Sequence, residues 1–389
     1  MGYNRKIVRV YQVIKYICAL LISRFYRNEN IWILAERGTD ARDNAYWLFL
    51  YLKNNSNDVS SYYVISNDSP DIVRLKNYSD SLVEYGTFRH YLLYCRAKAL
   101  ISTHIYGFAP VPSLFIKLDK YFKINKRKIT VMLQHGVTKD NIPSLHFSNT
   151  KLNLMICGAK PEYDFMKANY GYPEDNLQYL GFCRFDNLQR EQNPERIILL
   201  MPTWRQWLSK DNIVNSQYIH KYIELLSNKD LITILNSTGY KLYFYPHHEV
   251  QPYLDLFNKH HYADSVIIAD KFQYDVQTLL QRSSLLITDY SSVFFDFAYM
   301  KKPIIFYQFD KEKYRNNHYS EGYFDYDNSF GPVVSTINDL TEQVKQLIEF
   351  DCALDSKYSV KVDEYFPLSD KENCVRTYNC IMSKLLVDN

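Results

Sequence analysis

Glycine and proline are sparse in this 389-residue chain, with 11 and 13 copies, and that excludes collagen-like and low-complexity organisation. Cysteine is equally uninformative as a framework. Cys18, Cys95, Cys157, Cys183, Cys352, Cys374 and Cys380 are scattered without a CxxC pair, so neither a disulfide scaffold nor a zinc site is written here, and a reducing compartment suits them. Charge of one sign is nearly absent in the balance: a net +3 gives no reason to expect nucleic acid as a partner. No cluster of carboxylates stands at metal-ligand spacing, which predicts no essential bound metal; no cofactor is expected either. Long apolar runs are missing from the N-terminal segment too. In RKIVRVYQVIKYICALLISRFYR the longest uncharged stretch is Tyr16–Ser23, far short of the roughly 20 residues that span a bilayer. Lys15 interrupts what a signal peptide needs as an unbroken apolar core.

What the segment does have is Arg5, Lys6, Arg9, Lys15, Arg24 and Arg27 around an apolar series. That pattern predicts a basic amphipathic helix over 1–28, either lying on an anionic leaflet or packed on its own domain. The chain is also rich in tyrosine, with 36 copies, a residue that serves packing, sugar stacking and membrane interfaces alike. After the first helix, short apolar runs alternate with helical spacing: IWILAE, then RDNAYWLFLYLKNN, SYYVIS, KALIST, KITVMLQHG and LNLMICG. Such alternation means a parallel sheet. Polar residues over 186–196 read as a linker, after which IILLMPT, YKLYFYPHH, SVIIAD, LLITDYSS and PIIFYQFD repeat the logic. The expected architecture is α/β, two doubly wound Rossmann-type domains facing a central cleft, over 29–190 and 195–365. A C-terminal helix in 366–389 is predicted to cross back onto the first domain.

Four loops follow predicted strands, where a parallel sheet gathers its ligands. LQHGVTKDN offers His135, Gly136, Lys139 and Asp140; MPTWRQ offers Thr203 and Arg205; YPHHEV offers His247 and His248; TDYSS offers Asp289, Ser291 and Ser292. Each has a plain alternative. A histidine is more often structural than catalytic, an arginine bridges on surfaces, and serine pairs cap helices. Adjacent histidines in an extended segment point to opposite sides, so at most one of His247 and His248 faces a common site. Gly136 directly after His135 permits close backbone approach to a ligand.

These residues, taken together, resemble a known family. LLITDYSSVFFDFAYMKKPIIFYQFDKEKYR is similar to the signature of the CDP-glycerol glycerophosphotransferases, the teichoic-acid primases and polymerases of bacterial walls and capsules. LQHGVTKDN resembles that family's His-Gly loop, MPTWR its Pro-Thr-Trp-Arg segment, GPVVSTINDL its Gly-Pro-Val-Val turn, and DARDNAYWLFLYL its N-terminal Asp-Asn segment. The resemblance implies a GT-B fold and transfer of glycerol phosphate or ribitol phosphate from a CDP-alditol to a hydroxyl, with release of CMP. The acceptor it implies is lipid-linked or a polysaccharide, reached from the inner face of the cytoplasmic membrane. It places His135 as base and His247 on the diphosphate or the leaving phosphate, with His247 preferred over His248. Thr203, Arg205, His248, Asp289, Ser291 and Ser292 are expected to hold the donor, with Arg205 bidentate on its diphosphate. Gly136, Lys139 and Asp140 are expected on the acceptor side. Two other readings use the same residues: a GT-B glycosyltransferase with a CMP- or UDP-sugar, and a non-catalytic partner of wall assembly. The sequence leaves the alditol, the number of units added and the oligomeric state open.

Overall fold

A computed structural model describes residues 2–27, 29–188, 194–317 and 322–387, with side chains from Val8 to Leu386. The chain forms two compact units. The first comprises Met1–Val137, Pro143–Asn187 and Leu368–Asn389, and the second Thr138–Ile142 and Leu188–Pro367. Of the expected linker over 186–196, residues 189–193 lie outside the description, as do the side chains of Arg5 and Lys6.

Among the described residues of the first unit, the strands are β1 (Ile31–Ala35), β2 (Ser60–Ile65), β3 (Leu82–Glu84), β4 (Ala99–Ser102), β5 (Ile129–Met132), β6 (Leu154–Cys157) and β7 (Leu177–Tyr179). They pair in parallel in the order β3-β2-β1-β4-β5-β6-β7. Strands β1, β4, β5 and β6 are buried along their whole length, as strands covered on both faces must be. The four helices that open this unit are α1 (Gly2–Ser23), α2 (Asn44–Asn55), α3 (Phe88–Arg96) and α4 (Pro112–Phe122). One face of the sheet packs on α2 through Leu48, Phe49 and Leu52, and on the last helix, Asn373–Val387, through Ile381 and Leu385. The other face packs on α1, α3 and α4 through Tyr16, Ala19, Tyr91, Tyr94 and Phe115. The last helix is locked into this unit at its start, where Asp186 accepts from Asn373 N (2.9 Å) and Cys374 N (2.8 Å).

In the second unit the strands are β8 (Glu195–Met201), β9 (Lys241–Phe244), β10 (Val266–Ile268), β11 (Ser283–Thr288), β12 (Ile304–Tyr307) and β13 (Val333–Val334). Their order is β10-β9-β8-β11-β12-β13, again parallel. In both sheets the order reverses beside the first strand of the unit, the topological switch point where ligands of open α/β sheets gather.

Two expectations change here. The helix α1 is not a separate element: Tyr16 and Ala19 are buried in the first unit, and Tyr16 meets Phe115 edge-on at 5.3 Å. Most of its other apolar residues, among them Val10, Tyr11, Ile14 and Leu21, stay exposed, as does Phe25 just beyond it. No helix among the described residues is long and apolar enough to cross a membrane. A first domain unbroken over 29–190 is also revised, because Thr138–Ile142 belongs with the second unit. There the Lys139 carbonyl accepts from Tyr323 N at 3.2 Å, and Gly322 approaches it so closely that a Cβ would overlap the carbonyl oxygen.

Candidate active site

In the first unit the loops leaving β1, β4, β5 and β6 build one constellation around His135. The strands themselves are apolar and fixed, so each polar residue that follows is set at a sheet end. Leaving β5, Gln134 takes a left-handed backbone (φ 57°), a conformation that costs a non-glycine residue about 1–3 kcal/mol when imposed. It is held there from two sides. Asn44 Nδ2 donates to the Gln134 carbonyl (2.8 Å), and Gln134 Nε2 donates to the Ile156 carbonyl (2.8 Å) and Glu162 Oε1 (3.0 Å). The strain thus falls on Gln134, and Gly136 is not the residue that makes the turn.

His135, next in the chain, presents an open face to solvent and lies parallel to the His104 ring, centroids 4.5 Å apart. The nearby Thr103 backbone favours its protonated form, and a neutral ring keeps one nitrogen as an N–H and the other as a lone pair. Arg37 Nε donates to His104 Nε2 at 2.9 Å. A guanidinium is always a donor, so His104 carries its proton on Nδ1, which donates to Thr103 Oγ1 (2.9 Å). Both imidazoles are pushed toward the neutral form. Desolvation comes first for each, followed by Arg37 for His135 and by His135 and Arg37 for His104.

At the end of β1 sits Glu36, 2% exposed, which accepts from Arg42 N and from Asp43 N (2.7 Å). Burial, and then the Asp43 charge, push its carboxyl up to about 8. Arg184 closes the ring of loops, pairing with Asp43 at 2.9 Å and donating its backbone N–H to Asn44 Oδ1 at 3.0 Å. Glu36, Arg37, Asn44, Thr103, His104 and Arg184 were not among the sequence candidates. Applying the strand-end rule to IWILAE and KALIST as well as to KITVMLQHG finds the Glu36-Arg37 and Thr103-His104 pairs.

The second unit gathers the other candidates at the ends of β8, β9 and β11. Asp289 is fully buried and is the organiser of its loop: Oδ1 accepts from Thr203 N (2.8 Å) and from its neighbour Tyr290 N (2.5 Å). Its other oxygen pairs with Arg205 Nη1 at 2.8 Å. Arg205 corrects an expectation. The guanidinium has no exposed surface, and its fork is closed on Asp310, with Nε and Nη2 donating at 2.7 and 3.0 Å. The stacked pair Tyr290–Tyr314 (3.6 Å between centroids) flanks it. Burial opposes its charge, and Asp289 with Asp310 outweighs that opposition. Arg205 therefore has no free fork for a diphosphate and acts as the cationic pin of these loops.

Other polar groups of the sequence candidates and their neighbours lie close by. Thr203 Oγ1 and Tyr218 Oη are buried without a partner among the described residues. Tyr218 lines a cavity of about 190 Å³ with Trp207, Ser216, Phe309 and Lys313. Ser291 and Ser292 are half-buried at the start of the helix Val293–Tyr299; Ser292 makes no side-chain cap, and Ser291 Oγ only a long contact with Val293 N (3.4 Å). His247 is half-buried, its Nδ1 accepting from Glu249 N at 3.3 Å, while His248 is exposed and near Glu249 (3.4 Å). Lys139 and Asp140, expected on the acceptor side, lie in the second unit instead, paired with each other at 2.5 Å. Among the described residues no three His, Cys, Asp or Glu side chains converge as metal ligands would.

Comparison with known proteins places these units in company. Residues 17–383 match the family model described as CDP-glycerol:poly(glycerophosphate) glycerophosphotransferase. The minor teichoic acid biosynthesis protein GgaB of Bacillus subtilis is 34% identical over 372 residues, covering 92% of this chain but 40% of GgaB. This chain thus spans well under half of that relative. A teichoic acid poly(glycerol phosphate) polymerase of Bacillus spizizenii is 25% identical, over 88% of this chain and 89% of its own. Among solved structures, the wall teichoic acid polymerase TagF superposes with a TM-score of 0.70 at 16% identity, covering 99% of this chain and 98% of that one. At that identity the likeness is one of fold, and the fold is GT-B-like.

Proposed function

We propose, since the chain belongs to the CDP-glycerol:poly(glycerophosphate) glycerophosphotransferase family, that it transfers an alditol phosphate from a CDP-alditol to an acceptor hydroxyl in teichoic acid or capsular polymer synthesis. The acceptor oxygen bonds to the β-phosphorus, its proton passes to the free nitrogen of His135, and the bond from that phosphorus to the bridging oxygen breaks to release CMP. The observation that carries this reading is the His135 ring itself, stacked on His104 at a strand end with an open face, its pKa lowered by desolvation and then by the Arg37 charge. Thr203, Ser291 and Ser292 supply hydroxyls for the phosphate oxygens, and His247 donates to the diphosphate or protonates the leaving phosphate, with the exposed His248 as its neighbour. Asp289 and Arg205 hold those loops in place. The proposal uses no bound metal or cofactor. Gly136 lies on the acceptor side of the base.

The test is direct: CMP release from CDP-glycerol and from CDP-ribitol, each with hydroxyl acceptors of lipid-linked and polysaccharide type. A glycoside product from a nucleotide sugar, with neither CDP-alditol turned over, rejects the reading in favour of a glycosyltransferase. For the donor side, Ser291→Ala with Ser292→Ala is expected to weaken CDP-alditol binding tenfold or more, since each lost hydrogen bond to a charged group is worth roughly 1.5–3 kcal/mol. Calorimetry showing unchanged donor affinity removes the pair from the site.

Work on a lipid-linked acceptor suits a cytoplasmic protein held at the inner membrane face. All the cysteines are free thiols, as a reducing compartment requires. The helix α1 and the residues just beyond it leave Val10, Ile14, Ile17, Leu21 and Phe25 exposed beside Arg9, Lys15, Arg24 and Arg27. Each basic residue adds about 1 kcal/mol of attraction near an anionic leaflet, which salt screens, while apolar insertion is not screened. Because Tyr16 and Ala19 anchor α1 in the core, point substitution on its open face is the clean experiment. Ile14→Asp with Leu21→Asp is expected to abolish sedimentation with anionic vesicles and leave folding intact. Equal sedimentation of variant and wild type dismisses the membrane role.

A further inference from the structure

The first unit carries a second opening, at the opposite end of its sheet from His135. Thr130, at the start of β5, and Asn153, just before β6, line a cavity of about 800 Å³. Lys120, Lys123, Lys126 and Lys151 line it too, and none of the four pairs with a carboxylate among the described residues. The one acidic residue of the lining, Asp119, is committed within the fold: its oxygens take the Tyr106 hydroxyl (2.6 Å) and Asn125 N (2.9 Å).

Lysines at helix ends are ordinary, since the C-terminus of a helix favours cations. Lys123 and Lys151 are such caps, of α4 and of the short helix Phe147–Thr150. Two facts exceed that explanation. Lys126 lies beyond either cap. And Asn125, 6% exposed and part of the lining, has a buried Nδ2 with no acceptor among the described residues, although its Oδ1 is satisfied by Tyr94 Oη (2.5 Å). The Tyr106 phenol, which donates to Asp119, keeps an oxygen that could accept from this amide and lies near enough to feel it, but the two do not meet in hydrogen-bonding geometry. A buried donor left unmade costs about 1–3 kcal/mol, and the four lysines of the same lining have no carboxylate partner among the described residues, Lys120 and Lys151 lying over the Tyr121 and Phe147 rings. What both lack is an anionic acceptor.

We infer that this cavity is a binding site for a phosphate monoester or diester, with Asn125 Nδ2 and the ammonium groups of Lys120, Lys123, Lys126 and Lys151 as its donors. Its rim points to where such a group comes from. The helix α4 that carries Lys120 packs against α1 through Phe115 and Tyr16, and it leaves Ile116, Tyr121 (71%) and Phe122 (73%) exposed. Aromatic residues beside lysines are what a protein presents to a headgroup layer. A phospholipid headgroup and a free phosphorylated polyol share the chemistry, and experiment separates them. The inference takes from the proposed function only the membrane-facing surface. A chain that turns over no CDP-alditol can still bind here.

The full chain is titrated with sn-glycerol 3-phosphate by calorimetry and sedimented with phosphatidylglycerol and phosphatidylcholine vesicles. The variants are Lys120→Gln/Lys126→Gln/Lys151→Gln, Asn125→Asp, and a charge-matched control, Lys229→Gln/Lys241→Gln/Lys259→Gln, on exposed residues of the second unit. Glycerol phosphate affinity is expected to fall tenfold or more in the lysine triple and in Asn125→Asp, with the control unchanged. Should Asn125→Asp not fold, the exposed lysines alone decide the matter. Loss of phosphatidylglycerol binding beyond that of the control identifies a lipid headgroup as the ligand; retention identifies a free phosphate ester. Glycerol phosphate that binds the lysine triple as well as wild type, or binds neither at millimolar concentration, overturns the site.

Discussion

Replacing His135 by alanine slows CMP release from a CDP-alditol about 10²–10⁴-fold, the range a positioned general base contributes, and leaves donor affinity nearly unchanged. The ring is stacked on His104 in the first unit, whereas the donor hydroxyls Thr203, Ser291 and Ser292 belong to the second. The same geometry sets the pH dependence. Desolvation and the Arg37 charge lower the His135 pKa, so its neutral, proton-accepting form persists below the ordinary imidazole value of about 6.5. The acid limb of kcat/KM assigned to this base is therefore expected below 6.5. Arg37→Gln, which removes one cation, is expected to move that limb upward. A His135→Ala variant that retains near-normal turnover ends its assignment as base. An acid limb that ignores Arg37→Gln, in a chain where His135→Ala is inactive, assigns the limb to another group.

Arg205→Met is expected to destabilise the second unit by about 3–5 kcal/mol, the cost of stripping one partner from a buried ion pair. Asp289 and Asp310, both buried, would face each other's charge without the guanidinium between the two carboxylates. The lost stability appears in urea unfolding followed through the fluorescence of Trp204 and Trp207, which flank the site in sequence. Lysine is a poor substitute, because Arg205 spends its fork bidentately on Asp310 and a further donor on the Thr203 carbonyl (2.7 Å). An Arg205→Lys protein as stable as wild type but unable to bind a CDP-alditol would restore the direct diphosphate role that the sequence first suggests.

Much of the molecule was legible from residue order. Alternation of short apolar runs with helical spacing is a local property, and it marked strands at IWILAE, KITVMLQHG, IILLMPT and LLITDYSS, all present as β1, β5, β8 and β11. Because a parallel strand ends where its apolar run ends, the polar residues after each run were readable as sheet-end residues, His135 and Asp289 among them. Direction was another matter. Whether Arg205 turns out to a ligand or in to a counter-ion depends on Asp310, 105 residues further on, whose place beside β8 only the sheet order fixes. The open face of α1 depends likewise on Phe115 of α4, which covers Tyr16 and leaves Ile14 bare.

The sequence by itself therefore determined the two parallel sheets, the loops that bear chemistry and the basic, apolar character of the N-terminal helix, since each rests on periodicity or composition within a short window. Only the tertiary structure decided that Lys139 and Asp140 join the second unit and that Arg205 is sealed. It alone stacked His104 on His135 and left Asn125 with an amide donor that no described residue accepts. Those outcomes are set by which distant side chain arrives at a hydrogen-bonding distance of about 3 Å, a quantity that no local pattern of residues encodes.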